Sequence, residues 1–151
     1  MSETQNERTA SVVSLLIRLV IGVVLFFAGV DKLINIIGGS VGYGTFIQGF
    51  VDGIKESWAY NWPFRALIYV FAAILPWAEI SLGLTVSLGF RTRTVLVIAA
   101  FLLGHLMFGM ILQHQHATVA NNGQYVVFAA LAYYFASRGN RYSLDGLLAK
   151  R

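Results

Sequence analysis

Apolar residues in this chain gather into long runs separated by polar breaks, and a membrane-spanning helix needs about 20 such residues in succession. Four runs qualify, at 12–33, 64–90, 94–112 and 118–137. Each predicts a transmembrane helix, with ends set to within a few residues. The fourth is the least apolar, because Asn121, Asn122 and Gln124 interrupt its start. Only Arg91-Thr92-Arg93 and its neighbours separate the second run from the third, so those two helices form an antiparallel hairpin. The turn Gln113-His114-Gln115-His116 joins the third to the fourth. The first loop is long and opens with Gly38, Gly39, Gly42 and Gly44, which disfavour helix. It continues with Phe46, Ile47, Phe50, Val51, Ile54 and Trp58, with Asp52, Lys55 and Glu56 between them. That spacing predicts a short amphipathic helix lying in the membrane interface. Trp58, Tyr60 and Trp62 are suited to anchor it there. The expected fold is all-α: residues 1–151 form a single domain, an integral membrane four-helix bundle with one interfacial helix in its first loop.

Composition supports lipid as the solvent. The chain is 57% apolar and 12% charged, with a mean hydropathy of +0.67. Soluble domains run near about 45–50% apolar and about 25% charged. There is no cysteine, which excludes disulfide relays, iron–sulfur clusters and thiolate zinc sites within the chain. Residues Met1 to Ser11 lack the basic start and small-residue cleavage site of a signal peptide, so the first apolar run is expected to persist as an anchor.

The net charge of +4 would raise nucleic acid as a partner on a soluble protein. Here the basic residues flank apolar runs and form no stripe, so nucleic acid is set aside. Arg8, Arg91, Arg93, Arg138, Arg141, Lys150 and Arg151 fall on one side of a four-span topology, against Lys32, Lys55 and Arg65 on the other. The positive-inside bias then places both termini in the cytoplasm, in a bacterial or archaeal inner membrane.

Ionisable residues inside spans are costly and mark function by default. At about 1.5 Å per residue, Arg18 lies near 9 Å from the cytoplasmic face, and Glu79 and His105 near 15 Å. An arginine side chain reaches across that difference, so an Arg18–Glu79 pair with His105 beside it is an expected polar layer. Asp31, Lys32 and Asn122 sit toward the outer end. Arg18, Gly22, Phe26, Gly29 and Lys32 share one face of the first helix, as Pro76, Glu79 and Gly83 do on the second. Each residue has a plainer reading. The ion pair ties helices together, the glycines allow close packing, Asp31 and Lys32 snorkel, and His105 is a bonded core histidine. Bis-histidine haem needs two facing histidines, and only His105 lies within the spans, so neither haem nor a metal is expected.

The first-helix run from Arg18-Leu19-Val20-Ile21-Gly22 to Phe26, Gly29, Lys32 and Leu33 resembles that of the DoxX family. Pro76-x-x-Glu79-x-x-x-Gly83, Leu88-Gly89-Phe90 with Arg91 and Arg93, and the closing Tyr142-Ser143-Leu144-Asp145 extend the resemblance over nearly the whole chain. It implies a four-helix membrane protein. Relatives in that family include the DoxD-like membrane subunit of thiosulfate:quinone oxidoreductase, and others related to methylamine-utilisation proteins.

Three functional readings follow. One is a quinone-linked oxidoreductase, or its membrane subunit, passing electrons from thiosulfate or another small donor. Glu79, His105 and Arg18 would then be catalytic, Lys32, Asp31 and Asn122 would bind substrate, quinone would be co-substrate, and a partner subunit would supply electrons. Another is a non-enzymatic accessory or anchoring subunit of a larger complex. A third reading, a small-solute carrier, leaves four spans little room for alternating access unless the protein forms a homo-oligomer.

Overall fold

The computed structural model describes residues 3–148, the side chains of Glu3, Thr4 and Asn121 excepted. Met1, Lys150 and Arg151, used above in reading the N-terminus and the charge bias, lie outside the described residues. The order is α1 (Glu3–Ile37), α2 (Tyr43–Asp52), a 3-10 turn (Trp58–Tyr60), α3 (Phe64–Leu88), α4 (Thr92–Leu112), α5 (His116–Arg138) and α6 (Leu144–Leu148). No strand occurs among the described residues.

The apolar runs became long helices, with two differences from expectation. First, α1 starts well before residue 12. Its polar beginning contains no helix breaker, and the packing there is tight. Ala10, Ser11 and Ser14 are buried, the Ser14 hydroxyl bonds the Ala132 carbonyl at 3.4 Å, and Ser11 Oγ accepts from the Arg141 N–H at 3.2 Å. Second, three helices are long and apolar enough to cross a membrane: Gln5–Ile37, Phe64–Leu88 and Thr92–Leu112. α5 is long, at 23 residues, yet its polar start keeps it below that standard.

Side-chain size explains how the helices pair. α1 lies against α3 and α5, and α4 against α5. Glycines set the α1–α3 distance. A Cβ on Gly83 would stand 2.5 Å from the Phe26 nitrogen, and one on Gly22 would stand 2.7 Å from the Gly83 carbonyl oxygen. Gly29 meets the Pro76 carbonyl just as closely, at 2.7 Å. The plain packing reading of these glycines therefore holds. Alanines 129, 132 and 136 do the same for α5. Ile21, Leu25, Val86, Leu96, Ala99 and Leu103 fill the centre.

α3 and α4 form the hairpin, and residues of both line a cavity beside it. α2 contributes Phe46, Gly49 and Phe50 to that lining. Its apolar side, Ile47 and Val51, is buried, and it packs on α3. The Tyr43 hydroxyl donates to the Ala73 carbonyl on α3, one turn before Pro76. A short helix thus forms in the expected loop but is displaced toward the N-terminus: it takes in Gly44, ends at Asp52 before Ile54 and Trp58, and turns its apolar face onto the bundle.

Candidate functional site

The expected Arg18–Glu79–His105 layer does not assemble. Arg18 and Glu79 belong to opposite ends of the bundle. The reason is side-chain direction: Cα–Cβ bonds tilt toward a helix's N-terminus. On α1 this sends Arg18 toward the end holding both termini and the α3–α4 turn. On antiparallel α3 it sends Glu79 the other way, toward Lys32. Counting depth by Cα alone hid this.

Glu79 and Lys32 form a close ion pair. Lys32 Nζ donates to Glu79 Oε2 at 2.8 Å, to Oε1 at 2.9 Å and to the Ala28 carbonyl at 3.2 Å. All three ammonium protons are therefore used. The Glu79 side chain is 2% exposed and that of Lys32 22%, so the carboxylate is the buried member. The close approach at Gly29 brings α1 and α3 near enough for Lys32 to reach it.

The pair borders a partly open cavity of about 760 Å³ lined by α1, α2, α3, α4 and the start of α5. His105 and Asn122 line the same cavity, as do Phe46, Phe50, Phe71 and Phe108. Four of the six predicted site residues thus face one space: Glu79, His105, Lys32 and Asn122. Arg18 and Asp31 do not. Asp31 is exposed on α1. His105 Nδ1 lies 2.7 Å from the Phe101 carbonyl oxygen. A carbonyl only accepts, so Nδ1 carries a proton and donates it to Phe101. Asn122 Nδ2 donates to Met110 Sδ at 3.1 Å, which leaves its second amide proton and its amide oxygen. His105 also lines a shallower groove of about 680 Å³ between α4 and α5. His114, in the turn, and His116, which opens α5, are both exposed, with ring centroids 6.2 Å apart.

Arg18 anchors a second polar cluster, which charge placement did not foretell. Its guanidinium donates to the Tyr142 carbonyl at 2.7 Å, to Thr92 Oγ1 at 3.3 Å and to Asn140 Oδ1 at 3.5 Å. Asp145 accepts from the Arg91 and Thr92 N–H groups at 2.7 Å each and from the Thr92 hydroxyl at 2.9 Å. These N–H groups are the orphan donors that open α4, and Asp145 caps them from a distant part of the chain. Burial opposes ionisation of Asp145. The bonds from Thr92 and Arg91 and the charge of Arg18 outweigh it and hold the carboxyl below its ordinary range. Gly89, at φ +70°, makes room: a Cβ there would collide with the Arg18 guanidinium. The sequence signal was present, since Gly89, Arg91 and Tyr142-Ser143-Leu144-Asp145 all stood out. What they share is one clasp.

A helical bundle with three bilayer-length apolar helices, closed at one end by a polar clasp and holding an ion pair against an apolar cavity, defines a membrane protein. A family model described as methylamine utilisation protein MauE matches residues 10–123, and the chain belongs to that family. This match overturns the DoxX assignment. Apart from Lys32 and Glu79, which pair with each other, the residues that carried that resemblance serve close helix packing, helix ends and the clasp, which are needs of such a bundle and not marks of one lineage. No curated protein matches, and no solved structure matches.

Proposed function

We propose that this chain is a membrane accessory component of a methylamine-utilisation system and that it holds a small, largely apolar ligand in the Lys32–Glu79 cavity. The observation that carries the ligand site is the ion pair on the cavity wall. Helix packing alone would favour apolar residues there, because a desolvated ion pair gives little net stability over well-packed hydrophobic residues. The family description supplies the system. Because Lys32 spends all three protons internally, the wall presents a fixed, neutralised polar spot in apolar surroundings. Such a spot orients a ligand's head while the phenylalanines hold its body.

The test is growth of a host carrying this chain on methylamine as sole nitrogen and carbon source. Deletion is expected to abolish growth on methylamine and spare growth on a general carbon source. The wild-type chain restores it. Lys32→Met/Glu79→Met, at equal membrane abundance, does not. Unimpaired growth after deletion would refute the system assignment, and rescue by the double variant would refute the cavity's role.

A second reading, quinone-linked proton and electron transfer, draws on one observation: a histidine and a buried carboxylate face the same aromatic cavity. Both are proton-handling groups. It requires turnover of quinone by the purified chain with its electron-supplying partner, reduced in Glu79→Gln and His105→Ala. Unchanged turnover in both variants removes this reading.

A further inference from the structure

The groove between α4 and α5, about 680 Å³ in volume, is a second apolar space, and positive charge lies at one end of it. Val97, Phe101, Gly104 and Phe108 line it from α4 and share one helix face. α4 has the length and apolarity of a span, so this face lies at hydrocarbon depth. Arg93 precedes Val97 by one turn, and Ser137 follows Tyr133, which lines the groove from α5, by one turn. The Arg93 guanidinium donates to the Ser137 carbonyl at 3.2 Å, which bridges the two helices just past the groove. Arg138, the next residue, lies over the Tyr134 ring at 4.3 Å from its centroid. Between Arg93 and Arg138 the chain contains no Asp, Glu, Lys or Arg. The α4–α5 pair therefore carries its arginines at the clasp end alone.

We propose that this groove binds an anionic phospholipid, with an acyl chain along α4 and α5, the head-group phosphate on Arg93, and Arg138 adding positive charge beside it. An arginine offers five N–H donors in a planar fork that matches a phosphate, and one of them is bonded to Ser137. The ion pairs among the described residues are Lys32–Glu79 and Lys55–Asp52, so neither arginine has a carboxylate partner there. Basic pockets between transmembrane helices at the membrane boundary suit anionic head groups. From Val97 to Phe108 the groove follows α4 for about 16 Å. That is comparable with the acyl depth of one leaflet, half of a core of about 30 Å. A docked helix would need a carboxylate at the depth of Arg93, whereas a phospholipid carries its charge at that depth. His105 also lines the groove, but about 18 Å along α4 from Arg93. Its Nδ1 proton goes to Phe101, so it lies against the chain and not the head.

Gly104 provides a way to block the groove. A Cβ there would meet nothing within 4 Å, and Gly104 is absent from the lining of the Lys32–Glu79 cavity. The intact chain is reconstituted in vesicles of equal parts phosphatidylglycerol and phosphatidylcholine with the same acyl chains. It is then released in mild detergent, and the lipids retained per chain are counted by native mass spectrometry. Phosphatidylglycerol is expected to be retained at least about tenfold over phosphatidylcholine, given about fivefold for each arginine near the head group. Arg93→Gln is expected to reduce that preference about fivefold. Gly104→Phe is expected to bring retention to background with the unfolding midpoint in lipid-free detergent unchanged. Ala130→Phe, at an exposed position on the α5 wall, is the second blocking variant. Equal retention of the two lipids, or a preference unchanged in Arg93→Gln, overturns the inference. A preference that survives both blocking variants also overturns it, because the head group would then bind without the groove. Retention of neither lipid overturns it too, and a dimer that Gly104→Phe separates would then assign the groove to a second copy of the chain.

Discussion

Glu79 is the residue on which the site turns, and its pairing with Lys32 is asymmetric. The carboxylate is almost wholly enclosed while the ammonium keeps a 22% exposed side chain. Removing one member of a buried pair costs about 3–5 kcal/mol, because the other is left uncompensated. That penalty applies fully to Glu79 and only partly to Lys32, whose flexible stem lets its charge move toward a polar boundary. Lys32→Met is therefore expected to lower stability by about 3–5 kcal/mol, Glu79→Leu by less, and the double variant by less than Lys32→Met. Unfolding midpoints in mild detergent check the order. Equal losses in the two single variants would show that exposure does not set the cost. The sequence pointed to both residues, but not to their union. Side-chain tilt along antiparallel helices decides which of two candidate cations meets a carboxylate, and Cα depth contains no such information.

At the scale of elements, two devices hold the helices. The first is the glycine contact between α1 and α3. Gly83→Ala would press a methyl to 2.5 Å from backbone that cannot move independently, and overpacking of this kind costs about 1–3 kcal/mol. Gly104→Ala on α4 meets nothing within 4 Å and is expected to leave the midpoint unchanged or raised, since alanine is the better helix former. A loss at Gly104 equal to that at Gly83 would mean that helix flexibility, not contact, explains the first. The second device is the clasp, in which Asp145 caps α4 and Arg18 binds the Tyr142 carbonyl. Because the folded Asp145 carboxyl lies below its ordinary value of 3.8, protons bind the unfolded chain first as pH falls. Its contribution is thus complete above that value and disappears as pH drops through the lowered one. Asp145→Asn is expected to cost about 1 kcal/mol at pH 7, as loss of a helix cap does. The gap from wild type should close below about pH 4. Asp52 is lowered by its Lys55 and Gln48 bonds and remains in both proteins, so the difference reads Asp145 alone. A gap that persists unchanged at pH 3 would assign the loss to something other than the carboxylate's charge. The long helices and the hairpin were legible in hydrophobic periodicity. The clasp was not, because it joins Arg18 to partners more than a hundred residues away through a backbone carbonyl and a capping carboxylate, neither of which has periodicity.

For the whole molecule, the decisive question is whether α5 crosses the bilayer. Three helices satisfy the length and hydropathy of a span, and an odd number would leave the two termini on opposite sides. Yet α5 runs 23 residues, about 34 Å at 1.5 Å per residue, which exceeds the roughly 30 Å of a hydrocarbon core. Its burial against α1 and α4 also brings Gly139 to the start of α1, where a Cβ would lie 2.5 Å from the Glu7 carbonyl oxygen. A helix packed antiparallel to two spanning helices along its length has no route out of the membrane. Its Asn122 and Gln124 are tolerated because the first faces the cavity and both lie near one end. Four crossings are therefore expected, and the lysine and arginine bias predicts termini in the cytoplasm. The chain has no cysteine, so single-cysteine variants carry no background. Glu7→Cys and Ser137→Cys are expected to resist a membrane-impermeant maleimide applied to intact cells and to react after lysis. Glu56→Cys and Gln115→Cys are expected to react from outside. If Gln115→Cys and Ser137→Cys label from the same side, α5 does not span, and the fourth wall of the cavity must lie in the interface instead.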